Sequence, residues 1–327
     1  MKSFRALRVY REGNSCRSVV ETCSPADLGT GEILLRVRYS SLNYKDALSA
    51  TGAVGVTRHY PHTPGIDAVG EVLEGSGLVE EGSSVIATGY DLGVNSWGGY
   101  SELLRLPADW TLPLPAGLSL REAAALGTAG LTAALAVTAI EESLEEPEAP
   151  ILVTGATGGV GSLATAILTR IGRQVEAVSG KPRASQVLAP VAPEATVLSR
   201  EELHLQPDRP LLSARWSGAV DTVGGAPLAS LLRGIRYGGS VAACGNAAAT
   251  AVETTVLPFI LRAVRLIGID SVAVSRDLRR QCWDRLAGVW KPRNLDSLIS
   301  EVSLKELPDY FDRILRGEQT GRTVVRI

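Results

Sequence analysis

The chain has 327 residues, 33 Lys and Arg against 35 Asp and Glu, a formal net charge of −2 and 45% hydrophobic residues. The length points to two domains and the composition to a proper core. The charge lacks the basic excess of a nucleic-acid binder, so no nucleic-acid partner is expected. Cys16, Cys23, Cys244 and Cys282 show no Cys-x-x-Cys spacing, and only His59, His62 and His204 could join them as metal ligands. Free thiols in a reducing cytoplasm, without a disulfide framework or structural zinc, are the expectation.

The opening MKSFRALRVYREG mixes charge with apolar residues and carries no signal-type hydrophobic stretch. GEILLRVRYS then alternates with period two, and GIDAVGEVLEGSG and SSVIATG read as further strands around the turn GSGLVEEG. Short strands parted by glycine turns suggest a barrel or sandwich. The proline-rich LPADWTLPLPAGLSL ends in a helix-start pattern, Ser119 with Glu122, which sets a domain boundary near 119. Residues 123–140 carry no charge and could span a bilayer by length. They are mostly Ala, Gly and Thr and run into EESLEEPE, so a helix buried in a soluble protein is expected, with no membrane partner.

From residue 151 strand-like and helical runs alternate: ILVTG, SLATAILTRIG, QVEAVSG, EATVLS, GAVDTVGG, APLASLLRGIR, GGSVAACG and VRLIGIDS. This is the pattern of βαβ units and a parallel sheet. The tail holds two helical patterns, DLRRQCWDRLAGVW and LKELPDYFDRILRG, and a last strand, RTVVRI.

Within ILVTGATGGVG a strand meets a glycine turn and then a helix closed by Gly172. Bare backbone at such a turn admits a pyrophosphate, and the helix start offers unpaired N–H groups. The spacing is not a strict Gly-x-Gly-x-x-Gly, because Ala156 takes the first place ahead of Gly158 and Gly161. The absence of Gly-Lys-Ser/Thr excludes a nucleoside-triphosphate loop. Binders of NAD place an acid about 20 residues past the glycines. Here the next strand ends in Ser179-Gly180-Lys181, with Arg183 beyond and Glu176 earlier in the strand. Ser179 and Lys181 suit a 2′-phosphate, and Arg200 could join them or stack on adenine, so NADPH is expected over NADH. The bland alternative leaves both cations as solvated surface charges.

SSLNYKDALSATG places Asn43, Tyr44 and Asp46 where a strand gives way to a helix. Tyr44 could hydrogen-bond a cofactor or donate to a substrate oxygen, and the three residues are the candidate catalytic group. The alternative is that Asn43 caps the helix, Asp46 occupies its first turn and Tyr44 packs. PHTPGIDAVGEV resembles the place where a zinc alcohol dehydrogenase would carry a histidine ligand, but it reads Gly65-Ile66-Asp67, with His62 before it and no cysteine partners at suitable positions. Chemistry without a metal is expected. No Gly-x-Ser-x-Gly elbow supports a hydrolase.

Several of these segments, with WGGYSELLR, GTAGLTA, YGGSVAACG, LPFILRAVRLIGIDSV and GRTVV, resemble zinc-free medium-chain dehydrogenases/reductases on their quinone-oxidoreductase-like side. More narrowly the chain is similar to the acrylyl-CoA reductase subfamily of YhdH/YhfP type, through NYKDAL, AVSGK and LPFILR. The resemblance implies an α/β fold: a GroES-like β-barrel from 1–119, a Rossmann doubly wound parallel sheet over 120–272, and a return of 273–327 to the barrel. It implies NADPH held by Tyr44, by Thr157, Gly158, Gly159 and Val160, by Ser179, Gly180 and Lys181, and by Arg200, Asn246, Ile260 and Ser271. Asn246 and Arg316 depart from the residues expected there.

The implied reaction reduces a carbon–carbon double bond conjugated to a carbonyl, as in acrylyl-CoA to propionyl-CoA, with Tyr44 or solvent aiding protonation, Asn43 positioning and Asp46 supporting. Basic residues should meet the phosphates of CoA, and Arg58 and His59 are candidates. A cytoplasmic homodimer is the implied assembly. The rival activity is an NADPH:quinone or general enone oxidoreductase, and the rival outside enzymes is a non-catalytic NADPH-responsive binding protein.

Overall fold

The computed structural model describes residues 3–13, 15–203 and 209–327; His204 lies outside them. The chain divides into two compact units, Met1–Thr128 with Val272–Trp283 and Ile299–Ile327, and Ala129–Ser271 with Asp284–Leu298. The division thus falls at Thr128 rather than near 119, and Asp284–Leu298 goes with the second unit. The pattern at Ser119 marks the start of a helix: Ser119 Oγ donates to Glu122 Oε2 at 3.0 Å and accepts from the Glu122 amide at 3.2 Å. That helix continues past the point where the units part.

In chain order the elements are β1 (Phe4–Glu12), β2 (Ser15–Cys23), β3 (Ile33–Ser41), α1 (Tyr44–Ala50), β4 (Asp67–Glu74), β5 (Ser84–Thr88), β6 (Leu103–Leu106), β7 (Thr111–Pro113) and α2 (Leu120–Glu141). The middle supplies β8 (Ile151–Thr154), α3 (Gly159–Arg170), β9 (Val175–Val178), α4 (Ala184–Leu188), β10 (Thr196–Leu198), β11 (Trp216–Asp221), α5 (Gly225–Gly234), β12 (Ile235–Ala243), α6 (Leu257–Arg262) and β13 (Arg265–Gly268). The tail adds α7 (Arg276–Ala287), β14 (Ile299–Ser303), α8 (Leu307–Leu315) and β15 (Arg322–Arg326).

In the first unit β1 and β2 form an antiparallel hairpin, and a seven-stranded sheet runs β14-β15-β3-β4-β5-β7 with β6 also on β3. The tail strand β15 pairs antiparallel with β3, Val324 opposite Ser41. The alternating residues of β3 and β4 explain the core beneath them: Ile33, Leu35, Val37, Ala68 and Val72 are buried together with Leu104 and Leu106. A second cluster joins Leu7, Leu42 and Tyr100 to Phe311 and Val325 of the tail.

The second unit is a six-stranded sheet in the order β10-β9-β8-β11-β12-β13, with every pair parallel. This is the doubly wound order 3-2-1-4-5-6. All four residues of β8 are buried. A parallel strand covered on both faces reads as a continuous apolar run, as ILVT does.

The uncharged run anticipated as one buried helix is α2, and 89% of its most apolar window is buried. It is not unbroken. Gly127 leaves helical geometry with φ +48° and ψ −149°. A Cβ at Gly127 would strike Asp67 Oδ2 and come within 2.9 Å of Ser41 Oγ. The break is forced by tertiary packing against polar groups that helical periodicity does not reveal.

Candidate active site

The glycine turn lies at the switch point of the parallel sheet. The chain winds outward from β8 through β9 to β10, then returns to β11 on the other side of β8. Ligands of open α/β sheets bind outside the strand ends at such a reversal. Gly155 has φ +59°, and a Cβ there would strike Thr222 Oγ1. At Gly161 a Cβ would strike the Gly155 carbonyl, so this glycine lets α3 sit close on β8. Gly158 differs: the only atom near a Cβ would be Gly155 O at 3.3 Å. Two glycines therefore serve packing and the third leaves backbone accessible, beside the unpaired N–H groups that open α3 at Gly159 and Val160. Gly172, with φ +83°, follows the end of α3 as expected of a C-terminal cap.

The end of β9 adjoins this turn. Thr157 Oγ1 and Ser179 Oγ are 2.8 Å apart, and Ser179 Oγ accepts the Lys181 amide at 3.2 Å. The Arg200 side chain lies over Gly180, where a Cβ would strike its Nε. Lys181 and Arg200 are thus neighbours. The Lys181 ammonium is pushed below its ordinary pKa, first by burial and then by the Arg200 charge. Glu176, the acid noted in the strand, is engaged elsewhere: it accepts Arg215 Nη2 at 2.7 Å and Trp216 Nε1 at 2.7 Å. Two neighbouring cations beside the Thr157 and Ser179 hydroxyls can receive a compact anion such as a phosphate monoester.

The remaining residues of this group are less tightly gathered. Asn246 lines an open concavity with Cys244, Gly245, Gly268 and Asp270, at the carboxyl ends of β12 and β13. Ser271 follows Asp270 in the chain, and Ile260 stands on α6 with 67% of its surface exposed. At the end of β11, Asp221 accepts Thr154 Oγ1 at 2.7 Å and the Gly224 amide at 2.8 Å, tying the central strands together. Burial, followed by the Asp221 charge, pushes the Cys244 thiol up to about 12.

In the first unit the segment Asn43-Tyr44-Lys45-Asp46 opens α1. Tyr44 is 40% exposed and its hydroxyl has no hydrogen-bond partner among the described residues. Asn43 and Asp46 turn inward. Asp46 is fully buried and accepts the amides of Asn43 at 2.8 Å, Ile66 at 2.8 Å and Gly65 at 3.1 Å. It ties the start of α1 to the loop before β4. Burial, and then the nearby Asp67 charge, raises its carboxyl to about 7. Asn43 also points into this buried region, its Nδ2 donating to Asp67 Oδ2 at 2.8 Å.

Asp67 stands at the centre of a closed network. Its Oδ2 accepts Ser41 Oγ at 2.5 Å, and its Oδ1 accepts the Thr128 amide at 2.9 Å and the Thr128 hydroxyl at 2.6 Å. Ser41 Oγ in turn accepts Arg322 Nη2 at 2.8 Å, and Arg322 Nε donates to the Ala125 carbonyl at 2.6 Å. Arg322 is buried, and burial pulls its pKa down against the pull of Asp67 and Asp46. Sequence reasoning singled out Asp67 only as a missing zinc ligand and overlooked Arg322, Ser41 and Thr128. An arginine heading an otherwise apolar strand, RTVV, was the available signal. Arg316, noted as a departure, caps α8 and pairs with Glu318 at 2.6 Å on the surface.

The geometry defines a class before it defines a member. Residues 29–116 match the alcohol dehydrogenase GroES-like domain family. Joined in one chain to a doubly wound dinucleotide-type sheet, that domain makes an oxidoreductase of the medium-chain dehydrogenase/reductase superfamily. Acrylyl-CoA reductase AcuI of Ruegeria pomeroyi is 43% identical, over 99% of both chains. YhfP of Bacillus subtilis, provisionally named a quinone oxidoreductase, is also 43% identical over 99% of both chains. Its crystal structure with NAD bound aligns over 100% of both chains with a TM-score of 0.96. The YhdH oxidoreductase of Salmonella enterica, solved in complex with NADP, is 41% identical over 99% of both chains, with a TM-score of 0.94. The chain belongs to this acrylyl-CoA reductase family of YhdH/YhfP type.

Proposed function

We propose that the protein is an NADPH-dependent reductase of an activated carbon–carbon double bond, with acrylyl-CoA as the substrate and propionyl-CoA as the product. One observation carries the reading. A glycine turn beside two neighbouring cations, Lys181 and Arg200, lies in a chain 43% identical, end to end, to an acrylyl-CoA reductase. Thr157, Gly158, Gly159 and Val160 present backbone to the pyrophosphate. Ser179, Lys181 and Arg200 take the 2′-phosphate, with Gly180 making room for the arginine. Asn246, Ile260 and Ser271 are the further cofactor contacts. When bound, NADPH supplies a hydride for the β-carbon and leaves as NADP⁺; the α-carbon takes a proton.

Charge then builds on the thioester oxygen and needs a hydrogen-bond donor. Tyr44 is the side chain offered for that role or for a contact to the cofactor, and its exposed hydroxyl supports the choice. Asn43, Asp46, Asp67 and Arg322 hold the start of α1 and so its orientation. Chemistry without zinc is supported by the donor set. Each oxygen of Asp67 is already engaged by protein donors, in the segment that resembles the one carrying a histidine ligand in zinc alcohol dehydrogenases.

A homodimer is supported by the second unit. Its edge strand β13 exposes Leu266 at 43%, and α6 exposes Ile260 and Leu261. An open apolar edge of this kind invites a second copy. A cytoplasmic location, without nucleic-acid or membrane partners, accords with four free cysteines and a net charge of −2.

Steady-state assays with NADPH and, side by side, acrylyl-CoA, a quinone and a simple enone test the substrate. We expect kcat/KM for acrylyl-CoA to exceed the others by at least about tenfold, which is about 1.4 kcal/mol of transition-state discrimination. If the quinone were the best substrate, the chain would take the quinone reductase role suggested for its Bacillus relative.

A further inference from the structure

The first unit carries a second concavity that the hydride chemistry does not use. It is open, about 420 Å³, and lined by Tyr10, Arg11, Arg58, His59, Tyr60 and Pro61. No acid is among these residues. The carboxylates of Glu21 and Glu12 are already engaged. Tyr10 hydroxyl donates to Glu21 at 2.6 Å with Arg8 3.8 Å away, and Glu12 pairs with Arg17 at 2.8 Å. Arg58 is exposed and forms no ion pair among the described residues. Arg11 stacks its guanidinium 5.0 Å from the centre of the Tyr60 ring and donates to the Gly52 carbonyl at 2.9 Å. Tyr60 hydroxyl donates to the Ser49 carbonyl at 2.7 Å. The aromatic and basic walls are thereby pinned to the far end of α1.

We propose that this cleft binds the 3′-phosphoadenosine diphosphate end of the CoA ester, the phosphates meeting Arg58, His59 and Arg11 and the adenine resting on the tyrosine rings. The inference deepens, and rests on, the acrylyl-CoA reading. Three features fit. Cations without carboxylates suit a group bearing several phosphate charges. Tyrosine faces suit an adenine, which stacks on any aromatic surface. The spacing suits the ligand as well. Tyr44 begins α1 and Ser49 and Gly52 lie at its other end, and seven helical residues span about 10 Å. A pantetheine arm is long enough to run that distance from a thioester near Tyr44 to phosphates at Arg58.

The test compares acrylyl-CoA with acrylyl-N-acetylcysteamine, which keeps the thioester and lacks the nucleotide. Arg58→Ala should raise KM for acrylyl-CoA about tenfold, and Arg58→Glu more, with no such rise for the short thioester. Calorimetry should show adenosine 3′,5′-bisphosphate binding to the wild type and weakening about tenfold in Arg58→Ala. Equal effects on the two thioesters, or none on either, overturn the cleft while leaving the reductase in place. If the wild type reduces no CoA ester, the parent reading falls. The calorimetry then judges the cleft alone, and binding that is absent or independent of Arg58 overturns it.

Discussion

The two units handle buried charge in opposite ways. In the first, Asp67, Asp46 and Arg322 are sealed beneath α1, and their polar atoms are satisfied by Ser41, Asn43, Thr128 and backbone. In the second, Lys181 and Arg200 are held side by side, and Glu176, the acid in the strand before them, is tied to Arg215 and Trp216. A closed network fixes a shape. Two like charges held close together suit an anion that arrives later. The contrast separates residues that hold the fold together from those proposed to bind a ligand.

The largest effect should come from breaking the closed network. Arg322→Met removes the cation and leaves two buried carboxylates without it. Destabilisation on the order of 3–5 kcal/mol is expected from urea unfolding, the usual loss when one partner of a buried charge group is deleted. A loss below about 1 kcal/mol would show that the sealed network is not what holds the start of α1.

Lys181→Ala probes the open pair and should reverse the pattern. Stability should change by no more than about 0.5 kcal/mol, the usual range for a substitution outside the core. Affinity for NADPH should fall about ten- to a hundredfold, since a charge-assisted hydrogen bond is lost. Affinity for NADH, which lacks the 2′-phosphate, should hardly move. Titrations showing equal losses for the two dinucleotides would place Lys181 outside the phosphate site.

The same contrast explains what could be read from the sequence. Phosphate receptors are local. A strand, a glycine turn, a helix and a second strand ending in Ser179-Gly180-Lys181 lie within about thirty residues, and the periodicity switch announces the parallel sheet. Closed networks are long-range. Ser41 and Asp67 are 26 residues apart, Asp67 and Thr128 are 61, and Ser41 and Arg322 are 281. Only the pairing of β15 with β3 brings the last two together. For this reason Asn43-Tyr44-Lys45-Asp46 reads equally well as a cap or as a catalytic group from sequence alone. The structure divides it, with Tyr44 outward and Asn43 and Asp46 inward. Local spacing could not show that Gly127 must interrupt α2, because the obstacle is a carboxylate sixty residues earlier.

The smallest effect, and the finest test of the sealed unit, is a pair of opposing pH slopes. Asp46 is raised to about 7 by burial and then by Asp67. Between an unfolded value of about 4 and that folded value the native state holds the extra proton, so this group makes stability fall as pH rises. His62 is the reverse case. Burial lowers it to about 4 against the support of the Gly93 carbonyl, 2.8 Å from its Nε2. Between about 4 and 6.5 the unfolded state holds the extra proton, so this group makes stability rise with pH and its contribution is lost on acidification through about 4. Each slope is at most about 1.4 kcal/mol per pH unit, and over this shared window the two oppose each other. His62→Gln, which can keep a donor toward Gly93, should unmask the Asp46 slope, with urea midpoints falling from pH 4.5 to 6.5 relative to wild type. Asp46→Asn should unmask the histidine, with midpoints rising over the same range. Slopes are compared instead of absolute stabilities because either substitution also costs hydrogen bonds at every pH. Identical slopes in all three proteins would mean that neither group keeps its perturbed protonation in the folded chain, and that the first unit is less sealed than its hydrogen bonds imply.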